Sequence, residues 1–548
     1  MPKSVTGFYN SNMSLDKAKN LMKGSLKALT IAGSTERRIT LECETPILAG
    51  DCAHVHGWTP LLILAGVVTT LGSSVPVGYT IGVMNTPAHI MKMFCNETVE
   101  ATYGVQMSDG ILSVLWSCIV SVFLVGGMAG SLCGSWVADR LGRKGAVATT
   151  SSLALTAAIL FVSARPAGSV EMLLLARLLM GLSSGLTTST IPMYLTEIAP
   201  LSIRGAMGVL CPLGLTVGVL LGQIMGLPFI LGTATSWHYL LGLYAVLVLP
   251  AIIIVPFLPE SPKYLYAVRG EVDLAVNELC RLRQVALPEN LGGELEELCQ
   301  GCAVGTVWSV SRVVKAPELR LPLALVCAMQ AGQQFSGINA VFYYSVTIFE
   351  SAGLSKQGSQ YATIGAGGVN LLVTLIAIPL VNRCGRRKLI LVSCWLATLS
   401  LVLLVGTITF INAVSWMPYI CIIAVLSYVF TYGFGLGPIP YFIGAELFTV
   451  GPRPVAMAFG SMANWAGNFV VGMTFPSLQT AIGPYSFLIF ATTTLLLSEF
   501  LRWYLPETRG RTPAEVADLL RGGLRRKNKL VIPSDDPDLG GDLTQPPA

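Results

Sequence analysis

Neutral amides recur in the most apolar parts of this chain. Gln330, Gln333, Gln334 and Asn339 share one hydrophobic stretch, with Gly332 and Gly337 between them. Asn370 follows, then Tyr432 and Tyr441, then Asn464, Trp465 and Asn468. Each amide can both donate and accept, which suits a neutral ligand rich in hydroxyls. Aromatic rings would supply a flat wall for its C–H face. An amide left unpaired in an apolar phase costs roughly 2–7 kcal/mol. So many cannot all face hydrocarbon. They must bond other helices, at about 0.6 kcal/mol per contact, or line a wet cavity.

A second chemistry is electrostatic and is written twice. Asp139-Arg140-Leu141-Gly142-Arg143-Lys144 is followed by Glu197, Arg204 and Pro259-Glu260-Ser261-Pro262. Asn382-Arg383-Cys384-Gly385-Arg386-Arg387 is followed by Glu446, Arg453 and Pro506-Glu507-Thr508. The offsets are 382−139 = 243, 446−197 = 249 and 506−259 = 247. Three elements in one order at nearly constant offset mark a duplicated chain, and parallel repeats of this kind place a transport site between the halves.

Other chemistries lack their residues. There is no GxxxxGK[ST] phosphate cradle, no HExxH and no GxSxG, so neither an ATP-driven pump nor an enzyme is expected. Cys299 and Cys302 form one CxxC without a second pair or a nearby His, and His54 with His56 is a weaker pair still. No metal and no cofactor is expected. A proton-coupled carrier needs an ionisable group inside the bundle. The segment Gly78-Tyr79-Thr80-Ile81-Gly82-Val83 has no acid, and Arg177 is the one early charge within a span. Glu499 has Arg502 three residues on, the spacing of a helical ion pair. A passive uniporter is the expectation.

The elements that must position these residues follow from composition. Of 548 residues 53% are hydrophobic and only 12% charged, too little polar surface to cover a water-soluble protein of this size. About 20 helical residues span a bilayer. Twelve segments qualify: 60–83, 111–137, 145–164, 172–193, 205–228, 237–258, 321–349, 361–381, 388–411, 417–445, 454–478 and 484–505. The predicted layout is a cytoplasmic tail 1–58, a six-helix bundle 59–258, a cytoplasmic helical linker 259–320, a second six-helix bundle 321–505 and a tail 506–548. Lys and Arg collect in 1–58, 138–144, 259–320, 382–388 and 506–529, which places both termini in the cytoplasm. Asn96-Glu97-Thr98 then falls in the first external loop as a glycosylation acceptor. The first 58 residues are polar and mixed, so the first span is expected to act as the insertion signal. The net charge of +5 sits in these loops and does not suggest nucleic acid.

Further runs carry a resemblance over about 55–512: Arg177 to Gly205, Gln333-Gln334-Phe335-Ser336-Gly337-Ile338-Asn339, Gly437-Pro438-Ile439-Pro440, Ala445-Glu446-Leu447-Phe448, Asn464-Trp465 and Pro506-Glu507-Thr508-Arg509-Gly510-Arg511. The chain resembles the sugar porters of the major facilitator superfamily, and within them the facilitative GLUT hexose transporters, class I foremost. That resemblance implies an all-α polytopic membrane protein of twelve transmembrane helices in two pseudo-symmetric six-helix bundles. It implies a plasma-membrane carrier of hexose, D-glucose foremost, with lipid and sugar as its partners and no obligate protein partner. The hexose-contacting residues would be Gln333, Gln334, Asn339, Asn370 and Asn468, with Tyr441 at an aromatic position and Asn464-Trp465 beside them. Arg143, Glu197, Arg204, Arg386, Glu446 and Arg453 would form a cytoplasmic charge clamp that closes the inner gate.

The match has departures. Pro212 stands where the family presents a sugar-binding Gln, Tyr441 replaces a Trp and Gly433 replaces a Glu. Gln330-Ala331-Gly332 stands where glucose-restricted members have Gln-Leu-Ser, Asn382 replaces an acid, and Lys263 replaces an Arg. Thr80 occupies the place of an Asp in proton-coupled relatives. The departures leave a fructose or galactose preference, proton coupling and a poorly transporting sensor as alternatives.

Overall fold

Every regular element among the described residues is a helix. The structure, a computed structural model, describes residues 57–520 apart from 85–86, 228, 286–290, 300–307, 343–348, 350–354, 412 and 415. His54, His56, Cys302 and the basic run Arg525-Arg526-Lys527 lie outside the described residues.

The first half runs α1 (Pro60–Gly82), α2 (Ala88–Tyr103), α3 (Asp109–Arg140), α4 (Gly142–Ala164), α5 (Val170–Ile198), α6 (Arg204–Met225) and α7 (Trp237–Phe257). Three short helices follow: α8 (Val272–Arg283), α9 (Gly292–Cys299) and α10 (Val310–Lys315). The second half has α11 (Arg320–Phe335), α12 (Lys356–Cys384), α13 (Arg386–Thr409), α14 (Met417–Gly433), α15 (Ile439–Leu447), α16 (Arg453–Ile482) and α17 (Ser486–Tyr504), ending in α18 (Pro513–Leu520). Hydroxyl caps start several spans. Thr59, Ser108, Ser169 and Ser355 accept from the N–H of Leu62, Ile111, Met172 and Gly358.

Nine helices among the described residues are long and apolar enough to cross a membrane. Span seven stops at Phe335, and Gly337 takes φ 84°, a left-handed conformation that suits glycine. Span ten is split into α14 and α15 by a turn at 434–438. Span eleven, α16, is continuous over 30 residues but carries the amides Asn464 and Asn468. The predicted twelve candidates therefore include two that are discontinuous, and span one contains a wider π turn at Thr70–Ser74. In a bilayer, broken backbone is tolerated only where protein buries it or it lines a cavity.

The apolar core divides by half. One cluster draws on residues from Leu321 to Leu520 with only Val209 from the first half. Two further clusters draw on residues from Leu62 to Leu282, with only Trp465 among their buried members coming from the second half. Outward faces are also apolar: Ile159, Val246, Ile253, Leu399 and Leu496 are all well exposed, as lipid-facing residues should be.

Small residues let helices cross closely within and between the halves. A Cβ on Gly218 would meet the Val75 carbonyl oxygen, and one on Gly78 the Leu215 carbonyl oxygen, so α1 and α6 touch backbone to backbone. Between halves, α3 packs on α16 and α6 on α12.

One expectation changes here. The Asn96 triplet lies on α2 rather than in an open loop, and the Asn96 Oδ1 is buried without a hydrogen-bond partner. The residues from Ala88 onward read as loop because no strong apolar period marks them, yet Met91 and Cys95 bury one face of a helix.

The α1–α6 crossing gives a direct test. Gly218→Val should destabilise the protein by about 1–3 kcal/mol through overpacking, read as a lowered melting temperature in detergent. Gly365→Ala and Gly472→Ala, where an added Cβ meets nothing within 4 Å, should leave the melt unchanged or slightly raised.

Candidate functional site

The break in span ten sets the site. At 434–438 the backbone leaves the helix, and its carbonyls need donors. Gln333 supplies them: its Nε2 donates to the Leu436 oxygen at 3.1 Å and to the Gly437 oxygen at 2.6 Å. Gln330 Nε2 donates to the Pro440 oxygen at 2.9 Å. Ser393 Oγ accepts from the Leu436 N–H at 2.9 Å, and donates to the Thr431 oxygen. The break in span seven is pinned in the same manner, with Tyr428 donating to the Ser336 oxygen at 2.7 Å and Thr493 to the Phe335 oxygen. Amides and hydroxyls thus replace the lost helical bonds.

The remaining amides form a chain beside these breaks. Asn464 Nδ2 donates to Gln330 Oε1 at 2.9 Å and to Gln333 Oε1 at 2.7 Å. Asn339 Nδ2 donates to Gln334 Oε1 at 2.6 Å. Trp465 Nε1 crosses to the first half and donates to Thr188 Oγ1 at 3.1 Å. Ser461 joins the same crossing, bonding both Thr188 and Ser131.

A cavity of about 130 Å³ opens between the halves. At roughly 10–15 Å³ per water it has room for about ten waters, the scale of one monosaccharide. Gln334, Asn339, Asn370, Tyr441, Asn464, Trp465 and Asn468 line it from the second half. Val77, Ile81, Thr188, Pro212, Thr216 and Gln223 are among the first-half residues that close it. No Asp, Glu, His, Lys or Arg stands among its lining residues, counted over the described residues. Asn468 Oδ1 is buried with no partner, a group awaiting a donor.

Gln333 is the exception among the predicted contacts. It does not line the cavity, and both ends of its amide are occupied by the span-ten carbonyls and by Asn464. In this structure the broken backbone and Asn464, rather than the cavity, hold the Gln333 amide. Gln223 and Thr188 were missed, because an isolated polar residue in a span carries no motif. Only its place on a helical stripe could have marked Gln223.

Four of the six charged residues make two knots at one end of the molecule. In the first, Arg143 Nε donates to Glu197 Oε2 at 2.9 Å, Ser261 Oγ donates to the same oxygen at 2.7 Å, and Glu260 accepts the Arg143 N–H at 3.0 Å. In the second, Arg386 bonds Glu446 at 2.8 Å, Thr508 Oγ1 donates to Glu446 at 2.5 Å, and Glu507 accepts the Arg386 N–H at 2.8 Å. Glu260 and Glu507 thereby cap α4 and α13, where the helix N-terminus favours negative charge.

One ion pair among the described residues crosses the halves: Arg453 Nη1 meets Glu197 Oε1 at 3.0 Å. Beside it Ala138 and Met193 pack against Ala445 and Met457 of the other half. Arg204, the repeat counterpart of Arg453, instead pairs with Glu297 of α9 at 2.8 Å, and Lys263 joins Glu297. The expectation of a six-member clamp is therefore corrected. Arg143 and Arg386 hold their own halves together, and the linker captures Arg204. Around that capture, burial pushes Lys263 down to about 8, with Arg204 adding repulsion. Burial alone would raise the Glu297 carboxyl, but Lys263 and Arg204 hold it down at about 2.

Arg177 reaches Thr80: its guanidinium donates to the Thr80 oxygen at 3.4 Å and to the Ile119 oxygen at 3.2 Å, and stacks on Phe123 at 4.4 Å. Glu499 and Arg502 form the expected exposed pair at 3.6 Å.

The crossing pair should bias which side is open. Arg453→Gln should shift the balance of the two conformations about tenfold, for roughly 1.4 kcal/mol, towards opening at the charged end. Site-directed labelling of a cysteine introduced at position 457 reads this out. Unchanged labelling would show that the pair does not hold the gate.

Comparisons place this geometry among known proteins. A family model described as "Sugar (and other) transporter" matches residues 65–520. The chain is 41% identical over 467 residues to solute carrier family 2, facilitated glucose transporter member 3 of Mus musculus, covering 85% of this chain and 94% of that one. It is 38% identical over 461 residues to facilitated glucose transporter member 5 of Equus caballus, covering 84% and 91%. With member 1 of Gallus gallus it shares 38% over 485 residues, covering 88% and 98%. Among solved structures, the proton:xylose symporter XylE bound to 6-bromo-6-deoxy-D-glucose superposes with a TM-score of 0.71 at 22% identity, covering 84% of this chain and 99% of that one.

Proposed function

This chain belongs to the sugar transporter family, and from that premise we propose that it is a facilitative hexose uniporter, with D-glucose its foremost substrate. It is a multi-pass membrane protein with the major facilitator fold, and not an enzyme. One observation carries the finer reading: among the described residues, the cavity between the halves is lined by amides, aromatic rings, hydroxyls and apolar groups, and by no charged side chain. Amides match the donors and acceptors of sugar hydroxyls, and Trp465 and Tyr441 offer ring faces. A coupled carrier stores its proton on an ionisable group within the bundle. Thr80 offers Arg177 a carbonyl oxygen and no carboxylate.

Alternating access follows from the crossing pair. The structure is closed at its charged end, which the loop-charge pattern assigns to the cytoplasm together with both termini. Opening requires Arg453 to leave Glu197. Neither charge is then orphaned, since Glu197 keeps Arg143 and Ser261 while Arg453 keeps the Phe448 oxygen. Water entering the gate resolvates both, so the net cost is far below the 3–5 kcal/mol of breaking a buried pair by truncation. A few kcal/mol suffices to bias a two-state carrier without trapping it. We assign the plasma membrane as its site, with α2 and the Asn96 acceptor outside.

Reconstituted in vesicles, the protein should carry D-glucose down its gradient with saturable kinetics that a proton ionophore leaves unchanged. Ionophore-sensitive accumulation would replace uniport by symport, and faster fructose or galactose uptake would reassign the substrate. Gln334→Ala should raise the apparent KM for hexose about 5–150-fold, for about 1–3 kcal/mol, with surface expression intact. Unaltered kinetics would remove Gln334 from the site.

A further inference from the structure

Both halves must hold the sugar if its binding is to drive their movement, because a ligand shifts an equilibrium only by its differential contact with the two states. The second half offers the cavity Gln334, Asn339, Asn370, Asn464 and Asn468. The first half is far poorer. On α6 the cavity wall is Pro212, Leu215, Thr216, Val219 and Gln223. Those positions form one stripe of a 3.6-residue helix, about 16 Å long between its end members.

Hydrogen-bonding capacity along that first-half wall is mostly taken. Thr216 Oγ1 donates to the Pro212 oxygen at 2.9 Å, and Thr188 bonds Ser461 and Trp465. Pro212 has no N–H and no polar side chain. Gln223 differs. It is 8% exposed, and its Oε1 is buried with no hydrogen-bond partner. A buried, unpaired amide oxygen is costly to leave unmade, and this one belongs to a side chain that lines the cavity. Gly367 of α12 makes room for it: a Cβ at Gly367 would stand 2.8 Å from Gln223 Oε1. The amide therefore sits at the seam of α6 and α12, the two helices that must slide as the halves rock.

We propose that Gln223 is a substrate-contacting residue that accepts a hydrogen bond from a sugar hydroxyl and gives the first half its grip on the ligand. The proposal rests on the hexose-carrier reading above. It assigns Gln223 a role in affinity and in sugar-driven closure, and Gly367 the role of leaving space for that amide.

The test uses full-length protein in proteoliposomes with D-glucose and its singly deoxygenated analogues. Gln223→Leu should raise the apparent KM about 5–150-fold. One deoxy analogue that binds weakly to the unaltered protein should lose nothing further in this variant. The empty Gln223→Leu carrier should melt at the same temperature or higher, because the variant removes an unpaired polar atom, while the melting shift caused by glucose shrinks. Gly367→Ala should raise KM in the same direction by displacing the amide. Equal deoxy-analogue penalties in Gln223→Leu and unaltered protein would overturn the proposal, as would a lowered melting point with unchanged KM. If Gln334→Ala weakens glucose binding and Gln223→Leu does not, only this inference fails. If no hexose binds the unaltered protein, the carrier reading fails first and takes this inference with it.

Discussion

A carbonyl oxygen freed from a helix inside a bilayer has no water to turn to, and this structure is organised around meeting that demand. Spans seven and ten both break, at Gly337 and at 434–438. Gln333, Ser393, Tyr428 and Thr493 are committed to the backbone at these breaks, and Gln330 to the Pro440 oxygen at the start of α15. Their commitment fixes α11 against α14 and α15, and so fixes the wall on which Gln334, Asn339 and Asn464 stand. The amides that line the cavity include those left over once the backbone is served. Neighbouring residues Gln333 and Gln334 therefore differ, the first bonded to the span-ten backbone and the second lining the cavity.

The duplication explains the charged end, and its imperfection explains the pair that crosses the seam. Each half ties an arginine, a glutamate and a hydroxyl into the same knot, with a second glutamate capping the helix that carries the arginine. Such buried pairs give little net stability, but their removal leaves an uncompensated charge. Their effect is to tie the helices of each half to one another. Asymmetry begins one step outward. Arg453 crosses to Glu197, whereas Arg204 is drawn off by Glu297 of the linker. A fully symmetric arrangement would place two bridges across the seam and hold it shut more firmly. One bridge, with Ala138, Met193, Ala445 and Met457 beside it, is a lighter closure.

The linker therefore belongs to the first half energetically. Arg283 donates to the Ile198 oxygen at the end of α5, and Thr59 donates to the Leu282 oxygen. Its contact with the second half is thinner and includes Trp308 against Gly451.

Helical membrane class, duplicated halves, charge motifs and the amide-rich second half were all legible from residue type and spacing, because lipid imposes a length and a polarity that leave few alternatives. Capping acids such as Glu260 and Glu507 were legible as motif members, though their bonds to the Arg143 and Arg386 N–H were not. Which amide meets the cavity, which arginine crosses the seam, and why Gln223 stands unpaired depended on the tertiary structure. Those outcomes turn on competition: a side chain goes to the nearest unmet partner, and nearness across 100 or more residues is set by helix packing. Composition and periodicity determine what can be buried; only the packed arrangement determines what each buried group must satisfy.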